Sequence, residues 1–173
     1  MNNSDLLHQI QSQFPEIAEI SAPVLAVGAL PETAPYRDGH LHVQCPADQI
    51  LKLANFLKSG ESLQFDFLTM VTAVDFLKVV EPAVARMEVV YHLFSFKYQH
   101  KLVIKISVPR ENAAVESVIS VWPTADWQER EVYDMYGIRF LNHPNCSRIL
   151  MWEGFPGWPL KKDFAHIPDR YDD

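Results

Sequence analysis

Cysteine is scarce in this 173-residue chain: Cys45 and Cys146 are the only two, and they stand far apart. No Cys-x-x-Cys pair occurs, so the usual ligand spacing of a structural zinc site or an iron–sulfur cluster is absent. Two isolated thiols are also typical of a protein from a reducing cytoplasm. We therefore expect no metal and no cluster bound by this chain alone.

The motifs that bind nucleotides are missing as well. The sequence contains neither the GxGxxG fingerprint of dinucleotide-binding folds nor the GxxxxGK[ST] loop that cradles phosphates. Its net charge is -7, which leaves no excess of Lys and Arg to cover a phosphate backbone. We therefore predict that the chain binds no nucleotide and no nucleic acid.

Long hydrophobic runs are also lacking. The first residues, MNNSDLLHQIQSQF, do not show a basic region followed by an apolar stretch, so we predict no signal peptide. The most apolar stretch, Phe67 to Val80, is interrupted by Asp75 and Lys78 and is too short to span a bilayer. Any membrane association is therefore expected to come through a partner.

What the sequence does contain is the composition of a globular domain, with 48% hydrophobic and 21% charged residues. Hydrophobic periodicity and end signals predict helices at 4–14 (capped by Ser4), 45–60, 112–121 and 125–136. Alternation predicts strands at 40–44, 64–77, 86–96 and 100–108. Together these elements predict an α+β domain over residues 1–137, in which helices pack on one face of a mainly antiparallel sheet. An irregular C-terminal extension, residues 138–173, is predicted to follow.

Two of these elements have clear buried faces. In the strand at 100–108, apolar residues alternate with mostly polar ones, which predicts an inward face made of Leu102, Ile104, Ile106 and Val108. The short link KYQ joins this strand to the preceding one, so we predict a hairpin. The helix at 45–60 is predicted to bury Ile50, Leu53, Ala54 and Leu57.

The stretch from Trp127 to Gly137 carries four charged side chains: Glu129, Arg130, Glu131 and Asp134. One interpretation is a solvated helix face, on which Arg130 and Asp134 form a weak ion pair worth about 0.2–0.5 kcal/mol. The other is that the charges are buried against another element or chain, where each needs a partner. Residues two apart on a helix point in different directions, so Glu129 and Glu131 do not predict acid–base catalysis.

Histidines give only weak indications of chemistry. His40 and His42 lie two apart on a predicted strand and point to the same face, as the first two ligands of a metal-dependent hydrolase would. No third ligand is evident, so a surface or half-buried pair is the competing interpretation. His143 precedes Pro144, which disfavours helical backbone at residue 143 and favours a local structural role.

The end of the chain is rich in tryptophan and proline. All four tryptophans lie between residues 122 and 158, and tryptophan is among the residues that most often anchor interfaces. Prolines at 144, 156 and 159 reduce the entropy that an extended segment loses on ordering. The extension therefore either folds back on its own domain or lies across another protein, and composition alone does not decide between these.

Four stretches follow one another between Trp127 and Phe164: EREVYDMYGIRF, HP, RIL and GWPLKKDF. Their order and spacing resemble the signature of the C subunit of NADH:quinone oxidoreductase, the respiratory complex I family. The residues that we assign to this signature and to an interface are Glu129, Arg130, Glu131, Asp134, Gly137, His143, Pro144, Arg148, Trp158, Pro159, Lys162 and Asp163.

Three positions depart from the common family pattern. Asn142 stands where the family often has Gly, Trp158 where it has His, and Lys161 where it has Arg. Asn is the residue that best replaces Gly in a left-handed conformation, so we expect the same turn at 142. Lys161 keeps the charge of Arg but lacks its bidentate fork.

The resemblance implies a hydrophilic-arm subunit of a proton-translocating complex, peripheral on the cytoplasmic face of the inner (cell) membrane. It implies no catalytic residue and no cofactor in this chain; NAD, FMN, iron–sulfur clusters and quinone would belong to partner subunits. The expected neighbours are the large quinone-site subunit and the terminal-cluster subunit. Arg148, Lys162 and Asp163 are expected to fix the extension by charge-assisted hydrogen bonds. Similar domains occur in membrane-bound nickel–iron hydrogenases and formate hydrogenlyases, which provide an alternative reaction.

Overall fold

The computed structural model describes residues 2–20, 39–77 and 86–165. Over these ranges the chain forms α1 (Asn3–Gln13), β1 (Ala18–Glu19), β2 (Leu41–Gln44), α2 (Ile50–Ser59), β3 (Phe67–Asp75), β4 (Arg86–Ser95), β5 (His100–Pro109), β6 (Ala114–Glu116), α3 (Ala125–Tyr136) and β7 (Arg139–Leu141). Five strands form one sheet in the order β1-β2-β5-β4-β3, and β6 pairs with β7 in a second, smaller sheet.

The main sheet is mixed. β4 pairs antiparallel with β3 and with β5, as the predicted hairpin requires, and β1 pairs antiparallel with β2. β2 lies parallel to β5, because α2 carries the chain back across the sheet and β3 then runs in the same direction as β2. Two hairpins reverse the direction twice, so β5 regains it. The predicted α+β class is confirmed, with this one parallel pair added.

The core lies between the sheet and the helices. The predicted inward residues of β5 are all buried, at 0–2% exposure, namely Leu102, Ile104, Ile106 and Val108. The predicted apolar stripe of α2 joins the same cluster, as do Leu6 and Ile10 of α1. Burying one such aliphatic side chain stabilises the fold by about 1.5–3 kcal/mol. The sheet and its helices therefore form a firm support for the elements that follow.

The sequence predicts a helix at 112–121, and this prediction is wrong. Residues Ala114–Glu116 form β6, which pairs in parallel with β7. The pairing partner lies 25 residues further along the chain, so local periodicity could not reveal it. The expected irregular extension likewise contains one regular element, β7, before its irregular part begins.

Helix ends are predicted with mixed success. Asn2, and not Ser4, caps α1: its side-chain oxygen accepts the backbone N–H of Asp5 at 2.7 Å. Asn and Ser are about equally good caps, so the type of residue could not distinguish the two positions. α2 runs from Ile50 to Ser59, so it begins later than the helix predicted at 45–60, and Gly60 follows its end. α3 runs from Ala125 to Tyr136, as predicted; Thr124 precedes it, and the side chain of that residue makes no capping hydrogen bond.

α3 packs along β3, which is the edge strand of the main sheet. The side-chain oxygen of Gln128 accepts the backbone N–H of Val71, so the helix satisfies a donor that an edge strand would leave open. Ala125 and Val132 of the same helix enter the core. The helix is thus fixed to the sheet, and its remaining sides are available to the end of the chain.

Gly137 ends α3 in the left-handed conformation, with φ +77°. Its N–H donates to the carbonyl of Tyr133 at 2.8 Å. The indole of Trp158 lies directly on this glycine: a Cβ at position 137 would stand 2.6 Å from the Cε2 atom of that ring. Both the backbone conformation and the close approach therefore require glycine.

Gly137→Ala is expected to lower the free energy of unfolding by more than the ordinary left-handed penalty of about 1–2 kcal/mol, because the new Cβ also overlaps Trp158. Gly154→Ala is the matched control, since Gly154 has φ +84° and nothing within 4 Å of its would-be Cβ. Urea unfolding of both variants measures the difference. Equal losses in the two would contradict a stabilising contact between Trp158 and Gly137.

Candidate functional site

The C-terminal segment, residues 142–165, lies against α3 and forms the candidate site. It starts at Asn142, which has φ +61°. The expected left-handed turn is therefore present although Asn replaces Gly. Trp158 packs edge-on against Tyr133 of α3, with ring centroids 5.2 Å apart, and the N–H of Leu160 donates to the carbonyl of Met135 at 3.0 Å. The described part of the extension thus folds back on its own domain.

One buried carboxylate holds the middle of this segment. Asp134 projects from α3, and its Oδ2 accepts three consecutive backbone N–H groups at 2.7–3.0 Å, those of Ile149, Leu150 and Met151. Consecutive N–H groups of this kind form an anion-binding concavity. Burial would raise the pKa of Asp134, but these donors and Arg148 outweigh it and hold the pKa below its ordinary value. The segment therefore binds Asp134 as an anion.

Arg148 pairs with the carboxylate of Asp134 and extends the hydrogen-bond network further along the segment. Its Nη1 donates to Asp134 Oδ1 at 2.7 Å, and its Nη2 donates to the carbonyls of Phe155 and Gly157 at 3.1 and 2.9 Å. The guanidinium also lies over the ring of Trp158, 4.4 Å from the centroid. A planar group with five donors suits these partners, whereas an ammonium would satisfy only part of them.

A second group of charges holds the end of the segment. Arg110, which follows β5, donates to both carboxylate oxygens of Asp75 at 3.0–3.1 Å and to Asp163 at 2.9 Å. Asp75 also accepts the backbone N–H of Lys162 at 3.0 Å. Asp75 is fully buried, whereas the Asp163 side chain is 50% exposed. Solvent therefore screens the contact with Asp163 more than the contact with Asp75.

Glu129 is buried elsewhere on α3. Its side chain is 0% exposed; Oε1 accepts the N–H of Val118 at 2.8 Å and Oε2 accepts the hydroxyl of Ser117 at 2.5 Å. Burial raises the pKa of Glu129 to about 7 in spite of these two donors. The imidazole of His143 is also fully buried, with Nε2 3.9 Å from Glu129 Oε2 and 3.4 Å from Asp126 Oδ1.

The sequence left two interpretations of the charged residues of α3, a solvated helix face or charges buried against another element, and each holds for some of them. Glu129 and Asp134 are buried and bonded within the chain, while Glu131 is exposed. Arg130 is half-buried and donates to the carbonyl and the hydroxyl of Ser147 at 3.1 and 3.0 Å. Its bonds thus reach the C-terminal segment, and the weak pair with Asp134 is replaced by the pair of Asp134 with Arg148.

The remaining signature residues occupy different parts of the segment. Pro144 is exposed and Pro159 is half-buried. Arg148 and Asp163 form the expected charge-assisted bonds, whereas Lys162 contributes only its backbone N–H to the bond described above, and its side chain is exposed. Lys161 is half-buried beside the segment.

Large apolar side chains remain exposed on and beside the segment. Leu150, Trp152 and Leu160 are 57%, 62% and 50% exposed, and Trp127 on α3 is 69% exposed. The Trp152 ring packs edge-on against Phe155, with centroids 4.6 Å apart. Asp134 and Arg148 fix the backbone that carries these side chains. Binding a partner there would therefore cost little further conformational entropy. Such a display suits a protein–protein interface.

The described residues show no metal-binding arrangement and no membrane span. Across 2–20, 39–77 and 86–165, no three or more His, Cys, Asp or Glu side chains are placed to hold a metal ion. In the same ranges no helix has both the length and the apolar character to cross a bilayer. His42 is buried in β2, and Cys45 and Cys146 are free thiols.

Sequence reasoning missed Asp75, Arg110 and Ser117. Asp75 has a visible signal, because a lone carboxylate at the end of an apolar strand needs a partner when the strand is buried. Arg110 follows β5, which is the second strand after the one that ends at Asp75. Nothing in the neighbouring sequence connects Arg110 to a residue 35 positions earlier. Ser117 lies in the stretch that the sequence predicts as a helix, where its bond to Glu129 was not foreseeable.

Comparison with known proteins points to one family. Residues 43–169 match the family described as "Respiratory-chain NADH dehydrogenase, 30 Kd subunit". The C subunit of NADH-quinone oxidoreductase from Geobacter sulfurreducens is 42% identical over 76% of this chain and 79% of its own length. The corresponding protein of Roseiflexus castenholzii is 37% identical over 94% of this chain and 84% of its own length. The one from Hyphomonas neptunium is 44% identical over 78% of this chain, which spans only 66% of that relative.

Two solved structures share the fold. "Nqo5 of the trypsin-resistant fragment (1-134)" has a TM-score of 0.63 and 24% identity, and the match covers 84% of this chain and 99% of that one. A chain of the membrane-bound sulfane sulfur reductase, an archaeal respiratory membrane complex, has a TM-score of 0.68 and 23% identity over 98% of this chain and 95% of that one. At these identities the likeness establishes the architecture alone.

Asp134→Asn is expected to lower the free energy of unfolding by about 3 kcal/mol, because Arg148 and three backbone N–H groups lose their anion. Trypsin should also cleave the variant faster after Arg148, Lys161 and Lys162. Glu131→Gln, which removes an equal charge from an exposed position of the same helix, should stay within about 0.5 kcal/mol of the unchanged protein. Urea unfolding and limited proteolysis measure both effects, and identical behaviour of the two variants would refute the role of Asp134.

Proposed function

Because this chain belongs to the family of the 30 kDa subunit of respiratory-chain NADH dehydrogenase, we propose that it acts as the C subunit of an NADH:quinone oxidoreductase. Relatives at 37–47% identity bear the name of that subunit. In this proposal the chain belongs to the hydrophilic arm of a proton-translocating complex. It supports electron transfer from NADH, or a related donor, to quinone by holding the quinone-site subunits in place.

The arrangement of the C-terminal segment carries this proposal. Two of its charged side chains bond within the chain: Arg148 bonds to Asp134, and Asp163 bonds to Arg110. Its large apolar side chains, led by Trp152, face solvent from a backbone that is already fixed. A segment built in this way offers rigid apolar anchors, which is the property of a scaffold at a protein–protein interface.

Partners and cofactors follow from the same proposal. NAD, FMN, iron–sulfur clusters and quinone would be held by partner subunits, and this chain would contribute no catalytic residue. The surface around Trp152 and Leu150 would pack on the large quinone-site subunit, with the terminal-cluster subunit as a further neighbour. The complex would place the chain peripherally on the cytoplasmic face of the membrane.

An equivalent subunit of a nickel–iron hydrogenase or formate hydrogenlyase complex is the alternative. The names of the relatives favour NADH:quinone oxidoreductase over it. The fold by itself does not choose between reactions, since the sulfane sulfur reductase complex contains it too. The reaction is therefore a matter of which subunits accompany this chain.

Co-purification is the direct test of the proposed complex. The chain is tagged at its N-terminus, membranes of the native host are solubilised in mild detergent, and the accompanying proteins are identified by mass spectrometry. We expect the quinone-site, terminal-cluster and NADH-binding subunits. Recovery with a nickel–iron subunit would replace the proposed reaction, and recovery of the folded chain alone would refute the proposal.

Trp152→Ala is expected to reduce the amount of assembled complex several-fold while leaving turnover per assembled complex and the stability of the free chain nearly unchanged, because Trp152 is 62% exposed. Arg130→Ala, which releases Ser147, should likewise lower assembly more than turnover. Phe96→Ala is the control, since Phe96 is 56% exposed but lies on the turn after β4. Native gels and NADH:quinone activity per complex measure both quantities. Normal assembly with lost turnover would contradict a scaffolding role.

A further inference from the structure

Glu129 and His143 form a buried pair of titratable groups that a scaffolding role does not explain. Both side chains are 0% exposed, and the His143 Nε2 lies 3.9 Å from Glu129 Oε2. Three parts of the chain meet there: α3, the turn after β6 through Ser117 and Val118, and the turn after β7 that begins the C-terminal segment. The pair therefore lies where the C-terminal segment begins.

The hydrogen bonds of His143 fix its protonation. Its Nδ1 faces the backbone N–H of Asn145 at 3.1 Å, and an N–H can only donate, so Nδ1 must be the unprotonated acceptor. The ring proton is then on Nε2, which faces the carbonyl of Asp126 at 3.2 Å. In this arrangement His143 is a neutral imidazole, and it offers Glu129 no positive charge.

Among the described residues, the other groups that interact electrostatically with Glu129 do not supply a cation either. These groups are Asp126 of the same helix, Tyr91 of β4, Cys146 after β7, Ser117 and Val118. Asp126 disfavours a second negative charge, and Tyr91 is completely buried. An ionised Glu129 would thus be a buried anion held by two hydrogen bonds alone, which is costly compared with the neutral acid.

We propose that Glu129 is a proton-binding site: its buried carboxyl group carries a proton, while the Nδ1 atom of His143 accepts the N–H of Asn145 and the proton of that ring is on Nε2. Ser117 makes the protonated state possible, because its hydroxyl can accept the carboxyl O–H as readily as it donates to the carboxylate. The raised pKa of Glu129, about 7, agrees with this assignment.

Loss of this proton would leave a buried anion 3.9 Å from His143 Nε2. His143 is the residue whose Nδ1 accepts the N–H of Asn145 at the start of the C-terminal segment. The folded state holds the proton more tightly than the unfolded chain, so this group alone makes the protein less stable as the pH rises from about 4.5 to about 7.

An NMR titration of the full chain, labelled with ¹³C at the glutamate carboxyl and ¹⁵N at histidine, tests the proposal. We expect the Glu129 carboxyl to titrate with a midpoint near 7. The His143 ¹⁵N shifts should report the tautomer with the proton on Nε2, which the bonds to Asn145 and Asp126 require. Glu129→Gln should remove the titrating resonance, and Glu131→Gln, an exposed control on the same helix, should leave it in place.

A Glu129 carboxyl that titrates near its ordinary value would overturn the proposal. Assignment through bonds in the unchanged protein makes this result readable even if Glu129→Gln does not fold. Melting temperature against pH is the second measurement. The fall in stability between pH 5 and 8 should be smaller in Glu129→Gln than in Glu131→Gln, and an equal fall in both would count against the site.

Discussion

The carboxylate of Asp134 is the interaction on which the C-terminal segment depends. Residues 142–165 form neither helix nor strand, so their backbone groups cannot satisfy one another in the regular way. Asp134 takes three successive N–H groups on one oxygen and the Arg148 guanidinium on the other. Arg148 in turn donates hydrogen bonds to the carbonyls of Phe155 and Gly157 and so fixes the backbone there as well. One buried charge thereby orders a stretch that has no regular structure of its own.

α3 can support this segment because a helix turns about 100° per residue and sends neighbouring side chains in different directions. Val132 enters the core, Gln128 meets the edge strand, and Arg130 and Asp134 reach the segment. Charge density that looks like a solvated surface in the sequence is therefore distributed over several contacts. Gly137, at the helix end, gives Trp158 room to lie on the backbone.

Features that depend on neighbouring residues were predictable, and features that depend on distant ones were not. The inward face of β5, the stripe of α2 and both ends of α3 follow from local periodicity and end signals. β6 was not predicted because its partner strand comes 25 residues later in the chain. Lys162 is bonded to Asp75, 87 residues away, so composition could not decide where the extension lies. The family signature covers the candidate site but did not reveal which of its charges bond within the chain.

Two carboxylates of one helix are driven in opposite directions by their surroundings. Both are fully buried, and burial alone raises the pKa of each. Asp134 has four donors including a guanidinium, so it stays ionised; its contribution to stability is lost as the pH falls below its ordinary value of 3.8. Glu129 has two neutral donors, and none of the described groups that act on it is a cation, so burial raises its pKa to about 7. As the pH rises, the contribution of Asp134 to stability is gained and that of Glu129 is lost, so the two carboxylates of this helix act on the stability of the fold in opposite directions.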